Sequence, residues 1–469
     1  MVGRLPLRRL TLNRRDDLGR IMDASTPQPS RSEIRLVIGA SSLGTVFEWY
    51  DFFIWGTLTT SGILQRSFFP PGDALLATLL AWATFAVGFA FRPLGAILFG
   101  YLGDKLGRKY TFLVTIVLMG VATAGIGLVP EYGTIGTAAP LLIIAMRIAQ
   151  GLALGGEYGG AAIYVAEHSP PGKAGLYTSF IQAGVVGGFI LSLAVVLATK
   201  NAVSAEAWLG GWWRFPFLFS LLLLAISVFM RFKMSESPVF RAMRAAGEAS
   251  ANPLKESFTY PGNPKRLFVA LFGIAAGLTV IWYTALFGGL SFLTEAMKMD
   301  PTSAQLLVAG AALVGLVFYF ATGALSDRVG RKPPIVWGYV ATLVLLFPLF
   351  WLIGGAAGNG AAPAGFVPSA GQAATIFVGL LGLTALSGLT YGSVAALLAE
   401  MFPPRIRYSS LSIPYHFGTG YFGGFLPLIS AWIVSRTGDP YSGLWYTIAV
   451  VAMALVVTLW GLKEPARAD

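Results

Sequence analysis

Two carboxylic acids, Glu48 and Asp51, lie in the middle of an otherwise apolar stretch that runs from about Ile34 to Thr60. The stretch is long enough to cross a bilayer as a helix, which takes roughly 20 residues. A carboxylate at the centre of a membrane costs on the order of 3 kcal/mol, so acids found there usually serve a function. Residues three apart share a helix face, so both acids can face one cavity. The pair predicts proton coupling or solute binding, with Asp51 slightly preferred as the proton carrier.

Two arginines are also predicted inside apolar spans, Arg92 in the second and Arg147 in the fourth. The planar guanidinium donates two parallel hydrogen bonds to a carboxylate, so both arginines favour an anionic solute. Gln150 lies one helical turn after Arg147 and can present its amide to the same cavity. The alternative is that Glu48, Asp51 or Glu157 neutralises these arginines in permanent ion pairs that only stabilise the fold.

Aromatic residues with polar tips recur in the predicted spans, where such side chains more often pack or anchor the protein at the interface. A cage built from Trp282, Tyr283 and Tyr391 would suit a quaternary ammonium group. His416 is of interest because histidine titrates near neutral pH. Together with Tyr158, these four residues complete the predicted substrate-binding set that begins with Arg92, Arg147 and Gln150.

The composition excludes several classes of protein. Of 469 residues, 55% are hydrophobic and only 12% are charged, whereas a soluble domain carries about 25% charged residues. The chain has no cysteine and two histidines, so neither a thiolate metal site nor a membrane enzyme with a cysteine nucleophile is expected. It contains no G-x-x-x-x-G-K-[ST] loop, which argues against ATP-driven pumping within this chain. We therefore expect no metal and no cofactor other than a coupling proton.

The apolar stretches predict an all-α integral membrane protein with about twelve transmembrane helices. The predicted spans are 33–62, 74–99, 110–129, 138–167, 174–199, 212–231, 266–295, 302–324, 334–355, 372–400, 408–434 and 441–462. They divide the chain into an N-terminal tail (1–32), a six-helix bundle (33–231), a polar linker (232–265), a second six-helix bundle (266–462) and a short tail (463–469).

Basic residues are concentrated in the loops on the side of both termini. The opposite loops hold Arg66, Lys200, Arg214, Lys298 and Arg436. The positive-inside rule therefore predicts that both termini are cytoplasmic. The net charge of +11 is explained by this topology and does not require a nucleic-acid partner.

The two halves carry the same loop motif. Gly100, Asp104, Gly107 and Arg108 follow the second span, and Gly323, Asp327, Gly330 and Arg331 repeat their spacing after the eighth. A second repeat, Glu-x-x-Pro, begins at Glu167 and at Glu400. Internal duplication with a solute site between the halves is a recurrent plan among transporters.

These motifs resemble those of the major facilitator superfamily, as does the run from Arg147 to Gly156. Within that superfamily, Phe47–Phe52 and Gly155–Gly160 are similar to the metabolite–proton symporters, which include carriers of ketoglutarate, shikimate, citrate and proline or betaine. The resemblance implies two six-helix bundles that rock about a central site, a monomer, and a bacterial inner membrane. It also implies that the loop motifs latch the outward-open state and do not contact solute.

The leading functional prediction is a proton-coupled symporter that imports a small organic acid, such as a dicarboxylate or keto acid, by alternating access. One alternative is a proton symporter of the same fold that carries a zwitterion such as proline or betaine. An exporter of the same fold is the other, because sequence alone does not determine the direction of transport.

Overall fold

The computed structural model describes residues 31–106, 108–156, 158–232 and 252–464. Within these ranges the regular structure is helical, apart from one isolated bridge between Met299 and Phe366. Ten of the described helices are long and apolar enough to cross a membrane. Arg31–Thr59 and Arg108–Leu128 occupy the first and third predicted spans. The all-α membrane fold is therefore confirmed.

We number the spans α1 to α12 in chain order. They are α1 Arg31–Thr59, α2 Ala74–Ala90 continued by Arg92–Leu106, α3 Arg108–Leu128, α4 Ala138–Gly155 continued by Tyr158–His168, α5 Ala174–Ala202, α6 Phe215–Phe232, α7 Asn263–Ala296, α8 Pro301–Val329, α9 Lys332–Ala356, α10 Ala370–Tyr391 continued by Val394–Met401, α11 Arg407–Thr437 and α12 Leu444–Gly461. A short linker helix, Pro253–Thr259, precedes α7, and most of the predicted linker and the N-terminal tail lie outside the described residues.

Consecutive spans alternate in direction, which defines two faces of the molecule. The linker helix, the start of α7 and the α8–α9 loop lie at one face, which we call the linker face. The ends of α1 and α7 lie at the other, the opposite face. The N-terminal half contacts the C-terminal half chiefly through α5 against α8 and α2 against α11.

Several helices depart from regular geometry close to predicted site residues. The first segment of α2 ends one residue before Phe91, and Pro93, which has no N–H to donate, follows at the start of the second. α10 is divided after Tyr391. In α7, the π-helical segment Thr284–Gly288 begins directly after Tyr283. Such irregular turns widen a helix locally and are frequent at functional sites.

Two glycines bring α4 unusually close to α2. A Cβ on Gly151 would overlap the carbonyl oxygen of Gly88, and one on Gly155 would overlap the carbonyl oxygen of Arg92. Only glycine permits this approach of two backbones. The contact places Arg147 on α4 beside the part of α2 that carries Arg92.

Candidate functional site

The guanidinium of Arg92 is the most unusual group in the described part of the chain. It is fully buried, and its three nitrogens have no hydrogen-bond partner among the described residues. Its central carbon lies 5.1 Å from the ring of Trp49 and 5.3 Å from the ring of Phe89. Aromatic faces stabilise a cation only partly, and burying a charge without an acceptor is costly. A carboxylate from a bound solute would supply that acceptor.

Tyrosines from both halves surround this cation. Tyr158, Tyr283, Tyr391 and Tyr415 all lie within electrostatic range of Arg92. The ring of Tyr158 stacks on that of Tyr415 at a centroid distance of 3.8 Å. The hydroxyls of Tyr391 and Tyr415 are 3.2 Å apart. The fold therefore brings together four of the predicted site residues. Arg92 and Tyr158 come from the N-terminal half, and Tyr283 and Tyr391 come from the C-terminal half.

Further polar groups in this cluster lack hydrogen-bond partners within the described ranges. The hydroxyl of Tyr283 and both ring nitrogens of His416 are buried without one, and His416 is also within electrostatic range of Arg92. Trp282 lies 4.8 Å from the ring of Tyr283 and stacks on Phe53 at 5.1 Å. Buried polar groups are usually hydrogen-bonded, so unpaired ones beside an aromatic wall indicate a place for a polar ligand.

Arg147, the second predicted anion-binding arginine, is bonded within the protein. Its Nη1 donates to the carbonyl oxygen of Phe52 at 3.2 Å and to Oε1 of Gln150 at 2.6 Å, and its Nη2 donates to the carbonyl oxygen of Phe85 at 3.2 Å. These bonds tie α4 to α1 and α2. In this conformation both terminal nitrogens are occupied, so the structure distinguishes Arg147 from Arg92.

The same network reaches the backbone of Asp51. The amide nitrogen of Gln150 donates to the carbonyl oxygen of Asp51 at 3.1 Å and to the hydroxyl of Thr123 at 2.7 Å. The side chain of Asp51 is buried, and its Oδ1 has no hydrogen-bond partner. No ion pair to Asp51 is found in the described ranges. Glu48, one turn earlier, is also buried.

The C-terminal loop motif holds the two halves together at the linker face. The carboxylate of Asp327 accepts hydrogen bonds from the backbone nitrogens of Gly175 at 2.7 Å and Leu176 at 2.9 Å, at the start of α5. This helix end carries partial positive charge, which favours an anion. Arg331 also donates to Asp327, at 2.7 Å. The two backbone bonds join the C-terminal copy of the motif to α5, and its gating role stays a prediction.

Arg331 ties the motif to the rest of its own half. It donates to both carboxylate oxygens of Glu400, at 2.7 and 3.0 Å. Its backbone nitrogen donates to Glu464. Gly330 has φ of 98°, a conformation that favours glycine, and the Glu464 carboxylate occupies the space that its side chain would fill. The repeated Glu-x-x-Pro motif thus supplies a partner for the repeated loop motif.

Two more contacts cross between the halves at this face. Arg407 donates to Glu167 at 3.2 Å, and the hydroxyl of Tyr408 donates to the carbonyl oxygen of Gly156 at 2.8 Å. With the bonds of Asp327, they close the linker face.

The N-terminal loop motif is described only in part. Gly107 lies outside the described residues, and so do the side chains of Asp104 and Arg108. Gly100 lies in the second segment of α2. The predicted gating role of this copy therefore stays a prediction.

The cluster is also closed toward the opposite face. Phe287 of α7 packs against Phe189 of α5 at a centroid distance of 4.9 Å and against Phe53 of α1 at 5.4 Å. Nearer that face, the ammonium of Lys200 donates to the hydroxyl of Thr302 at 3.0 Å. Because contacts between the halves flank the cluster on both sides, this conformation is occluded.

Two residues of the cluster were missing from the predicted set. Gln182 donates its amide to the hydroxyl of Tyr158. The ring of Tyr415 stacks on that of Tyr158, and its hydroxyl lies close to the hydroxyl of Tyr391. The available signal for Gln182 was an amide within an apolar span; Gln150 was predicted because it lies one turn after Arg147, and Gln182 has no such neighbour in its span. Tyr415 is the neighbour of His416 and was not distinguishable from packing aromatics.

Comparison with known proteins gives the family. A family model described as "Sugar (and other) transporter" matches residues 36–271, and the model "Major Facilitator Superfamily" matches residues 267–469. An inner membrane metabolite transport protein of Escherichia coli is 35% identical, over 92% of this chain and 94% of its own length. A proline/betaine transporter of Salmonella typhimurium is 33% identical (93% and 84%), and a shikimate transporter of E. coli is 31% identical (91% and 92%).

Solved structures agree on the fold. The proton:xylose symporter of the major facilitator superfamily, bound to 6-bromo-6-deoxy-D-glucose, superposes with a TM-score of 0.73 at 18% identity, covering 92% of this chain and 96% of the symporter. At that identity the likeness supports the fold alone. The family models and the curated relatives carry the assignment further: the chain is a multi-pass membrane transporter and belongs to the major facilitator superfamily.

Proposed function

We propose that this transporter is a proton-coupled symporter that imports a small solute with one carboxylate, and that a zwitterion such as proline or betaine is the preferred class. The observation that carries the proposal is the buried guanidinium of Arg92, which has no acceptor among the described residues and lies among tyrosines of both halves. A solute carboxylate bound there would link the halves in the occluded state.

Two observations favour a zwitterion over the dicarboxylate or keto acid of the leading prediction. Of the two arginines predicted to bind an anion, Arg147 is engaged by internal acceptors, which leaves Arg92 for a single carboxylate. The aromatic pair Trp282 and Tyr283 lies in the same region and can face an ammonium group. Relatives named as proline/betaine transporters support the same choice.

A hydroxylated monocarboxylate is the second candidate. A solute of the shikimate type carries one carboxylate and several ring hydroxyls, for which the tyrosine hydroxyls and His416 supply hydrogen-bonding partners. The relative named as a shikimate transporter supports this candidate. The two candidates differ in how the rest of the solute is bound. The hydroxyls of a shikimate-type solute need hydrogen-bonding partners, whereas the ammonium group of a betaine needs aromatic faces.

For proton coupling we propose Asp51, with Glu48 as the alternative. Its carboxylate is buried with one oxygen unpaired, so protonation would remove the penalty of burying a charge. The predicted alternative, a permanent ion pair between Asp51 and Arg147, is not the arrangement in this conformation. The backbone of Asp51 is linked through Gln150 to Arg147, which gives a physical connection between its protonation and the packing of α1, α2 and α4.

The remaining parts of the proposal follow from charge distribution and family. The linker face is the cytoplasmic side, with both termini there, because the basic loops lie on that side. The inner membrane is the proposed location, in keeping with the relative named as an inner membrane protein. The transporter acts as a monomer, without a metal or cofactor.

Uptake into proteoliposomes tests the proposal. Vesicles with an imposed inward proton gradient are given labelled proline, betaine, shikimate, ketoglutarate or citrate, with and without a protonophore. We expect accumulation of betaine or proline, or of shikimate for the second candidate, that collapses with the protonophore. Accumulation of ketoglutarate or citrate alone would contradict the single-carboxylate site, and accumulation indifferent to the protonophore would contradict proton coupling.

A further inference from the structure

A groove of about 450 Å³ opens between the two halves, away from the Arg92 cluster. Its lining includes Ile97 of α2, Ile413 and Phe417 of α11, and Leu254, Lys255 and Phe258 of the linker helix. Apart from Lys255 and Asn252, which lie at the linker helix, the lining side chains are apolar. The groove therefore joins one element from each half with the helix that precedes the second half.

The apolar walls face outward from the protein. Ile97, Phe258 and Phe417 are 43%, 53% and 38% exposed, respectively. On the neighbouring surface of α2, Leu94 and Leu98 are also exposed. Because α2 and α11 are membrane spans, an outward-facing apolar groove between them is in contact with the hydrocarbon of the bilayer.

The groove lies in the leaflet at the linker face. Ile97 is two residues before Phe99, where the apolar span of α2 ends, and Phe417 is ten residues after the start of α11 at Arg407. At 1.5 Å per residue, the groove reaches from near the membrane surface at Ile97 to roughly 15 Å beyond the start of α11 at Phe417, which is half the thickness of a typical hydrocarbon core. The linker helix covers the other end of the groove, at the depth of lipid headgroups.

The exposed ammonium of Lys255 lies at that end. Lys255 is on the linker helix, which is fixed to the C-terminal half by an ion pair between Glu256 and Arg405 at 2.7 Å. The hydroxyls of Ser257 and Ser410 are also 2.9 Å apart. These bonds hold Lys255 at the mouth of the groove, where a lysine attracts anionic headgroups.

We propose that this groove is a binding site for one anionic phospholipid of the leaflet at the linker face. One acyl chain occupies the cleft between α2 and α11, and Lys255 attracts the headgroup through its net negative charge, which phosphatidylethanolamine lacks. Since α2 and α11 belong to different halves, the bound lipid contacts both and favours the conformation in which this cleft has its present width. The site is independent of which solute the transporter carries.

Native mass spectrometry of the purified, delipidated transporter tests the site. Phosphatidylglycerol and phosphatidylethanolamine are titrated separately, and retained lipid is counted. We expect one phosphatidylglycerol to bind more tightly than the rest, and Lys255→Gln to weaken that binding about fivefold while sparing phosphatidylethanolamine. Lys173→Gln, at another exposed lysine of the linker face, is the matched control and should change neither lipid.

A second pair of variants tests the cleft. Ile97→Trp should fill the groove and lower retention of both lipids, whereas Val344→Trp, on the exposed surface of α9, should not. Equal effects of Lys255→Gln and Lys173→Gln, or of the two tryptophan variants, would overturn the proposal.

The occupant can be identified directly because the chain has no cysteine. An Ile97→Cys variant carrying a thiol-linked photocrosslinker should form an adduct with phospholipid in vesicles. An adduct with residues 233–251 of the linker would show that the chain itself covers the groove, and an adduct with another protein would show a protein partner; either result would overturn the lipid proposal.

Discussion

The ring of Tyr158 on α4 lies parallel to the ring of Tyr415 on α11, with centroids 3.8 Å apart and planes inclined by 3°. The two residues belong to different halves of the transporter. Both lie within electrostatic range of Arg92, and Tyr158 also accepts a hydrogen bond from Gln182. The stack therefore forms part of the cluster around Arg92 and must separate when the halves move apart on the linker side.

Substitution of Tyr158 tests this stack. Tyr158→Phe keeps the ring and loses the hydroxyl, whereas Tyr158→Leu loses both. Aromatic pairs contribute about 1 kcal/mol beyond their buried area, so Tyr158→Leu should slow transport by at least about fivefold relative to Tyr158→Phe. Initial rates of uptake at saturating solute measure the difference. Equal rates for the two variants would assign the role to the hydroxyl instead.

The two buried arginines should respond differently to lysine. Arg92→Lys keeps the charge and loses the guanidinium fork, so solute affinity should fall about tenfold or more. Arg147→Lys removes the bonds that tie α4 to the carbonyl oxygens of α1 and α2, and should lower thermal stability more than Arg92→Lys does. Solute binding by calorimetry and unfolding temperatures in detergent separate the two effects. Normal affinity in Arg92→Lys would move the carboxylate site elsewhere.

Asp51→Asn is expected to uncouple transport from the proton gradient. The amide is a close steric match for the protonated acid but cannot release a proton. Accumulation driven by a pH gradient should be lost, while exchange of labelled for unlabelled solute across the vesicle membrane should continue. Glu48→Gln is the comparison. If accumulation survives in Asp51→Asn and is lost in Glu48→Gln, the coupling role passes to Glu48.

Asp327→Asn should weaken the closed linker face. The variant loses the negative charge that the start of α5 and Arg331 both contact, at distances of 2.7 to 2.9 Å. We expect a lower turnover with an unchanged order of competing solutes, because this residue is remote from the Arg92 cluster. Asp300→Asn is the matched control, since Asp300 caps α8 within one half by accepting from the backbone nitrogen of Ser303 at 2.9 Å. The same decrease in both variants would contradict a specific latch.

Much of the architecture is determined locally and was predictable. Spans of about 20 apolar residues must be helical, because backbone groups in hydrocarbon can be satisfied only within the helix. The repeated motif at Asp104 and Asp327 likewise indicated the two halves from spacing alone, whereas its role as a latch was implied by the family resemblance and stays a prediction. The acids and arginines inside the spans were identifiable from composition, since a charged residue in an apolar stretch is conspicuous wherever it points.

The sequence by itself therefore determined that this chain is a two-half membrane transporter with charged groups buried in its spans. Only the tertiary structure decided which of the two buried arginines is hydrogen-bonded within the protein. Arg92 and Arg147 are equivalent as residues, yet the close contact at Gly151 and Gly155 places Arg147 against backbone carbonyls, whereas Arg92 has no acceptor in the part of the chain that the structure describes. Gln182 and Tyr415 were found in the cluster only from the structure, for the same reason. The partners of a side chain come from helices distant in the chain. The register between those helices depends on packing that no local sequence pattern encodes.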